Sequence, residues 1–354
     1  MKRLKILIVG YYGSDNLGDE MLLKATINLL NKTYDNPEIT AITYSVKNTR
    51  KTHGINGISR NKYFQILKGI KRADIVVGGG GSMLQNVTSN RSLIYYLTIL
   101  SLSKLLGKRV VLLGNGIGPL KHSLYLRLTV RILKHLDAIV LRDEASYNFL
   151  KSHDLNNIYL GNDLVFTLDM EQNVVEEPKK IIFNLRKWFY DEGFIITIEK
   201  FIEYLANEGF CVALVPFQKG NDDRVLRGIE KNLNSPKVKL LENLDYEDLM
   251  AEIASCQLFI GMRLHGLIFS SIFKKPFIAL SYDPKVSIFS KNLGQVCFED
   301  LNNITLDSLI MEFNRVYSKI DDYKETLVEN TKKILDLNHI NEEVLKKLIH
   351  NRED

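Results

Sequence analysis

What this sequence has little of narrows it first. It holds three cysteines, Cys211, Cys256 and Cys297, in 354 residues. They are odd in number, far apart and set in apolar segments. None has zinc-ligand spacing, so buried, reduced thiols of a cytosolic protein are expected rather than a disulfide framework. No run reaches the ~18 uninterrupted apolar residues of a membrane helix. The basic start Met1-Lys-Arg leads into an apolar run that Lys5 interrupts and Gly10 ends, which predicts a first strand rather than a secretory signal. There is no Asp-x-Asp for a metal-held diphosphate, no Walker lysine, no G-x-G-x-x-G, and no Ser or Cys elbow with a partnered His. Repeats and low-complexity tracts are also absent. The charge surplus is only +5, which suits acidic small molecules or an anionic surface without requiring nucleic acid.

What is present is ordinary globular composition, 45% hydrophobic and 25% charged, over a length that favours two cores. Short apolar strands alternate with helical spacing from Leu4 to about residue 168, which describes one doubly wound α/β domain. Residues 169–179 are polar and acidic without pattern and read as a linker. Strand-helix alternation restarts at 180 and runs to 317 as a second α/β domain. Residues 318–354 read as a charged helical segment.

The stretch Leu258 to Lys285 is the most informative. It reads as strand, turn, buried helix, turn, strand and loop. Arg263 and His265 fall at the first strand-to-helix junction, and Lys285 follows the next strand. In a parallel α/β sheet both places lie at carboxyl ends of strands, where ligands bind. A helix N-terminus there adds free N–H groups and a positive dipole end. Each of these residues alone has a plain reading, a core or cap histidine and an arginine paired with a carboxylate. Together they are costly to bury without a partner, which points to an anionic ligand.

Similar strand ends recur along the chain. The loop Gly10 to Glu20 carries Gly13, Asn16, Asp19 and Glu20. Carboxylates there suit sugar hydroxyls or general base work better than phosphate, although Asp19 and Glu20 could simply favour the first helical turn. Gly78 to Gln85, with Gly80 and Ser82, reads as a glycine loop that lets backbone N–H groups approach a ligand, or as a flexible turn. Arg142 ends the strand Ala138 to Leu141 and offers a two-pronged anion contact, or pairs with a carboxylate nearby. Asp163 follows the strand Ile158 to Leu160, and Arg186, with Trp188 beyond it, follows the strand Ile181 to Leu185. A helix over Lys121 to Leu136 carries Lys121, Arg127, Arg131 and Lys134 with no acid. It could meet an anionic membrane surface or be a solvated face.

Gly261-Met-Arg-Leu-His265 with Tyr282-Asp-Pro-Lys285 resembles the polysaccharide pyruvyl transferase family. Gly13, Asn16, Gly18, Asp19 and Glu20 are similar to its opening motif. The glycine-serine stretch at 78–85, Gly114 to Pro119, Arg142-Asp-x-x-Ser146 and Gly161-Asn-Asp163 extend the likeness over most of the chain. The resemblance implies two Rossmann-like domains facing a cleft, the GT-B arrangement. It implies transfer of pyruvate from phosphoenolpyruvate to two hydroxyls of a sugar as a cyclic ketal, with no cofactor and no metal. It also implies a cytoplasmic enzyme whose acceptor is a cell-wall or capsular saccharide, often lipid-linked, at the inner membrane face. Arg142 is then expected at the donor anion, and His265 as acid or phosphate anchor. Arg263 and Lys285 are expected on phosphate, and Asp19 or Asp163 as base. Asn16, Gly13, Gly80, Ser82 and Arg186 complete the expected binding set. The rival reading is a metal-independent glycosyltransferase using a nucleotide sugar; a third is a nucleotide-sugar binding protein of the same fold.

Overall fold

Runs such as Ile6-Leu-Ile-Val9 and Ile139-Val-Leu141 are β-branched or leucine-rich and apolar at successive positions, the mark of strands covered on both faces. A computed structural model of the chain describes residues 3–87, 89–170, 174–187 and 192–350. Residues 171–173 of the expected linker, 351–354 of the expected C-terminal segment, and Trp188 lie outside these. The chain divides into two compact units, Met1–Asp169 with Ile334–Asp354, and Met170–Lys333.

The first unit alternates strand and helix: β1 (Lys5–Tyr12), α1 (Leu17–Thr33), β2 (Glu38–Thr43), α2 (Val46–His53), β3 (Asn56–Ser59), α3 (Tyr63–Arg72), β4 (Ile75–Leu84), α4 (Asn90–Leu105), β5 (Arg109–Ile117), α5 (Ser123–Leu133), β6 (Ala138–Leu141), α6 (Glu144–Lys151) and β7 (Ile158–Leu160). The sheet is parallel in the order β3-β2-β1-β4-β5-β6-β7. Its strand order reverses between β1 and β4. Leu7, Val9, Val76, Leu112 and Ile139 on one face pack with Ile66 and Ile70 of α3, Leu93 to Leu100 of α4, and Leu133 of α5.

The second unit is β8 (Lys180–Asn184), α7 (Glu192–Asn207), β9 (Cys211–Leu214), α8 (Asp222–Leu233), β10 (Val238–Leu240), α9 (Tyr246–Ser255), β11 (Leu258–Gly261), α10 (Leu264–Ile272), β12 (Phe277–Leu280), α11 (Pro284–Asn292), β13 (Val296–Phe298), α12 (Leu306–Ser318) and α13 (Ile320–Leu335). Its sheet is also parallel, in the order β10-β9-β8-β11-β12-β13, and reverses between β8 and β11. The last helix, α14 (Asn338–His350), belongs to the first unit. There Tyr34 Oη donates to the Leu345 carbonyl at 2.8 Å, and Asn338 Nδ2 donates to the Phe166 carbonyl at 2.8 Å.

Three expectations change. Gly78 to Leu84 is not a loop but the second half of β4, because its residues pair with Leu112, Leu113, Asn115 and Ile117 of β5. The ladder shifts register between Gly81 and Leu84, so the glycines form a bulged strand end. The basic helix is shorter than expected and begins at Ser123, after His122 at φ 67°. Cys211 is exposed rather than buried, since it opens β9 on the solvent side. Cys256 is buried, and burial pushes its thiol up to about 12. Cys297 is half-buried, and burial pushes it up to about 11. Among the described residues no helix is long and apolar enough to cross a membrane.

Candidate functional site

In the second unit, three neighbouring strands end together at the reversal of strand order. Asn184 closes β8 and is fully buried. Its Nδ2 donates to the Val215 carbonyl at 2.8 Å, and its Oδ1 accepts the Arg263 backbone N–H at 3.1 Å. One amide side chain at the end of β8 thereby pins the exits of β9 and β11, and Arg263 becomes the N-cap of α10. The Arg263 side chain, 11% exposed, lies against that of Asp222 of α8, which is 0% exposed. Nε donates to Asp222 Oδ2 at 3.0 Å and Nη2 to Oδ1 at 2.5 Å, while Nη2 also donates to Gln218 Oε1 at 3.0 Å. Asp222 further accepts the backbone N–H groups of Phe217 and Gln218 at 3.1 and 3.0 Å. A buried charge pair is tolerable when its remaining hydrogen-bonding capacity is filled in this way.

His265 stands in the first turn of α10, half-buried, with its ring tilted against Phe269 at 6.3 Å. Arg186, two residues beyond β8, lays its guanidinium over the Tyr282 ring at 4.5 Å, and Lys285 Nζ lies 6.0 Å from the same ring. Asp283 caps α11 by accepting the Lys285 N–H at 3.1 Å, and its carboxylate lies 3.2 Å from Lys285 Nζ. The four expected residues Arg186, Arg263, His265 and Lys285 therefore belong to the carboxyl ends of β8, β11 and β12, which are adjacent in the sheet.

The first unit has its own strand-end cluster. Arg142 Nη1 pairs with Asp163 at 3.0 Å, Nη2 donates to Ser82 Oγ at 2.8 Å, and Nε lies 3.7 Å from Asp143. These residues follow or end β4, β6 and β7. Arg142 thus has intramolecular carboxylate partners, the second possibility that its position left open. Asp163 is buried, paired and capping the turn at Val165, which does not suit a free general base.

At β1, the loop and the start of α1 are tied internally. Asn16 caps α1, and its Nδ2 donates to Asp19 at 2.6 Å. The Gly13 N–H donates to Glu20 Oε1 at 2.6 Å, and Glu20 Oε2 meets His53 Nε2 at 2.8 Å. Gly13 has φ +72°, and a Cβ there would lie 2.1 Å from Thr43 Oγ1, so only glycine fits. Gly80, at φ +78°, leaves room for Leu22 of α1, whose Cδ2 would lie 2.6 Å from a Cβ.

Two features escaped the sequence. Asp222 is one; its signal was that an arginine in a buried corner requires a carboxylate, and the chain offers one at the start of α8. The other is an aromatic cluster at the ends of β1, β2 and β3. Tyr11 and Tyr44 meet edge-on at 4.9 Å, and Arg60 lies 4.2 Å over Tyr44 and 4.7 Å over Tyr95. Burial, followed by the Tyr44 hydrogen bond, pushes Tyr11 up to about 12. Among the described residues no group of three or more His, Cys, Asp or Glu is placed to hold a metal ion.

Two successive parallel α/β units, each reversing strand order above a set of polar strand ends, define the GT-B-type class of Rossmann-like proteins. HepE of Anabaena in complex with UDP-glucose matches with TM-score 0.64 and 12% identity, covering 98% of this chain and 99% of that one. UDP-GlcNAc 2-epimerase of Neisseria meningitidis bound to UDP-GlcNAc matches with TM-score 0.65 and 14% identity, covering 97% and 100%. Within that class the sequence is more particular. The sequence model of the family described as polysaccharide pyruvyl transferase matches residues 16–284, and the chain belongs to that family and is a transferase. Amylovoran biosynthesis protein AmsJ of Erwinia amylovora is 25% identical over 288 residues, 72% of this chain and 68% of AmsJ.

Proposed function

We propose that this transferase moves pyruvate from phosphoenolpyruvate onto two hydroxyls of a saccharide acceptor, giving a cyclic ketal and phosphate. The observation that supports this most is the convergence of Arg186, Arg263, His265 and Lys285 on adjacent strand ends of the second unit. The donor carries a carboxylate and a phosphate and needs several cations. Asp222 and Gln218 hold the Nε and Nη2 atoms of Arg263, which fixes the guanidinium plane and leaves Nη1 for a phosphate oxygen. A guanidinium fixed in this way binds with less loss of side-chain freedom.

The reaction adds a proton to the methylene carbon, forms two carbon–oxygen bonds at C2, and breaks the bond to phosphate. Of the two hydroxyl protons lost, one balances the proton added at carbon and the other leaves with the phosphate released as its C2–O bond breaks. His265 is the assigned acid or phosphate anchor. Asp19, which accepts a hydrogen bond from Asn16 in the first unit, is the assigned base for a sugar hydroxyl. Arg142, Ser82 and the Gly80 backbone are assigned to the binding set there. A cytoplasmic enzyme fits a donor made in the cytosol. An acceptor carried on a lipid, for a cell-wall or capsular polysaccharide, would bring it to the inner membrane face.

The rival is transfer of a sugar from a nucleotide sugar, which the UDP-sugar complexes of the structural relatives keep in view. The two are separated by incubating the protein with a saccharide acceptor and either donor. Phosphate released from phosphoenolpyruvate, with a mass gain of one pyruvyl ketal on the acceptor, supports the proposal. Release of nucleoside diphosphate and none of phosphate contradicts it.

A further inference from the structure

The charge of this chain is unevenly placed. Residues 39–136 contain sixteen lysines and arginines and one acid, Asp74, whereas the rest of the chain has thirty-one against forty-one. Asp74 is occupied at the base of the sheet, where its carboxylate accepts the Lys5 N–H at 3.0 Å. The basic segment includes α3, α4 and α5, which cover one face of the first unit's sheet. Their outer side carries Phe64 (90% exposed), Leu105 (80%), Tyr63 (69%) and Leu124 (66%). Lys62, Lys68, Arg91, Lys121, Arg127 and Lys134 are exposed on the same elements or at their ends. Among the described residues none of these six has a carboxylate within ion-pair distance.

Two grooves share α5. One, of about 420 Å³, lies among α3, α4 and α5 and is lined mainly by apolar side chains, including Ile66, Ile94, Tyr95, Leu102 and Tyr125. The other, of about 360 Å³, is lined by Arg127, Arg131, Lys134, His135 and His153 with Leu126 and Val130. An apolar groove with Tyr63 in its wall, on helices that also expose Phe64, Leu105 and Leu124, together with a groove of cations on α5, has the two chemistries of a bilayer interface. The first suits acyl chains and the second suits phosphate headgroups.

We infer that the α3–α4–α5 face docks the protein on an anionic bilayer. A nucleic acid would match the charge but not the protruding aliphatic residues. A second copy meeting this face symmetrically would set like charges against each other.

The test is sedimentation of the full chain with vesicles of phosphatidylcholine, alone or with an equal part of phosphatidylglycerol, at low and raised salt. No donor or acceptor is present, so the outcome is independent of pyruvyl transfer. The wild type should bind the mixed vesicles, bind phosphatidylcholine weakly, and lose affinity as salt rises. Arg127→Gln/Arg131→Gln/Lys134→Gln should lose on the order of 100-fold in binding. Phe64→Ser/Leu105→Ser/Leu124→Ser should lose the part of binding that survives raised salt. Thermal unfolding of both variants, with the exposed pair Lys62→Gln/Lys121→Gln as a second charge variant, guards against simple misfolding. Absence of wild-type binding to mixed vesicles overturns the inference. So does equal binding to both vesicles, full binding by both charge variants, or binding to heparin without binding to vesicles. So does a dimer in solution that the apolar variant dissociates.

Discussion

At the scale of single residues, the account turns on Arg263 and the carboxylate that holds it. Asp222 fills its lone pairs with two guanidinium nitrogens and two backbone N–H groups. Replacing it leaves a buried cation without its counter-charge, and breaking such a pair costs about 3–5 kcal/mol. Asp222→Ala should therefore lower the unfolding free energy of the second unit by that scale, seen as a lower denaturant midpoint. Asp222→Asn should retain more stability but lose donor affinity, because the amide cannot match the two-pronged contact. A double variant Asp222→Asn/Arg263→Gln should regain stability without regaining affinity. Equal stability of wild type and Asp222→Ala in urea titrations would show that the pair carries no such role.

At the scale of elements, β6 and β7 were legible to the residue, because short apolar runs bounded by turn residues and charges leave little choice of ends. Strands β4 and β5 were not. Gly78 to Gly81 and Gly114 to Gly116 have low intrinsic strand preference, and pairing with neighbouring strands overrides it. Helix α2, with the polar sequence Val-Lys-Asn-Thr-Arg-Lys-Thr-His, buries only Thr49 and so has no apolar stripe to read. The site was half legible. Arg263, His265 and Lys285 stood out because charge interrupted an apolar stretch. The partner of Arg263 did not, because it arrives from an element 41 residues away in sequence.

The glycine-rich end of β4 gives a prediction at this scale. Gly80 combines φ +78° with a Cβ position 2.6 Å from Leu22 Cδ2. Gly80→Ala should cost ~2–4 kcal/mol from left-handed backbone and crowding of α1 together. Chemical denaturation measures it, and an unchanged midpoint would mean that the strand end is not fixed against α1.

At the scale of the whole molecule, the chain passes from the first unit to the second near residue 170 and returns near residue 333. The return delivers α14 to the first unit, where Val344 and Leu345 are buried, Lys32 pairs with Glu342 at 2.7 Å, and Asn162 is held by Asn338. We propose that the segment 169–179 is the site of first cleavage in limited proteolysis, as a link between two cores. The two fragments should then co-elute, because the C-terminal fragment carries a helix of the first unit's core. Fragments that separate on size exclusion, or a first cut inside either unit, would count against that anatomy. Ending the chain at 333 should expose the apolar seat of α14 and lower the first unit's melting temperature.

The central claim is that the strand ends of the second unit carry pyruvyl transfer with His265 as its acid or phosphate anchor. Its most direct test is the rate of pyruvyl transfer from phosphoenolpyruvate to a saccharide acceptor, measured for wild type, His265→Gln and His265→Ala at matched thermal stability. The account predicts a fall on the order of 10²–10⁴-fold in His265→Ala, as for loss of a general acid. A comparable fall in His265→Gln would assign proton donation, while near-normal turnover in that variant would assign a phosphate anchor. Full activity of His265→Ala, or no consumption of phosphoenolpyruvate by the wild type with any saccharide acceptor, would contradict it.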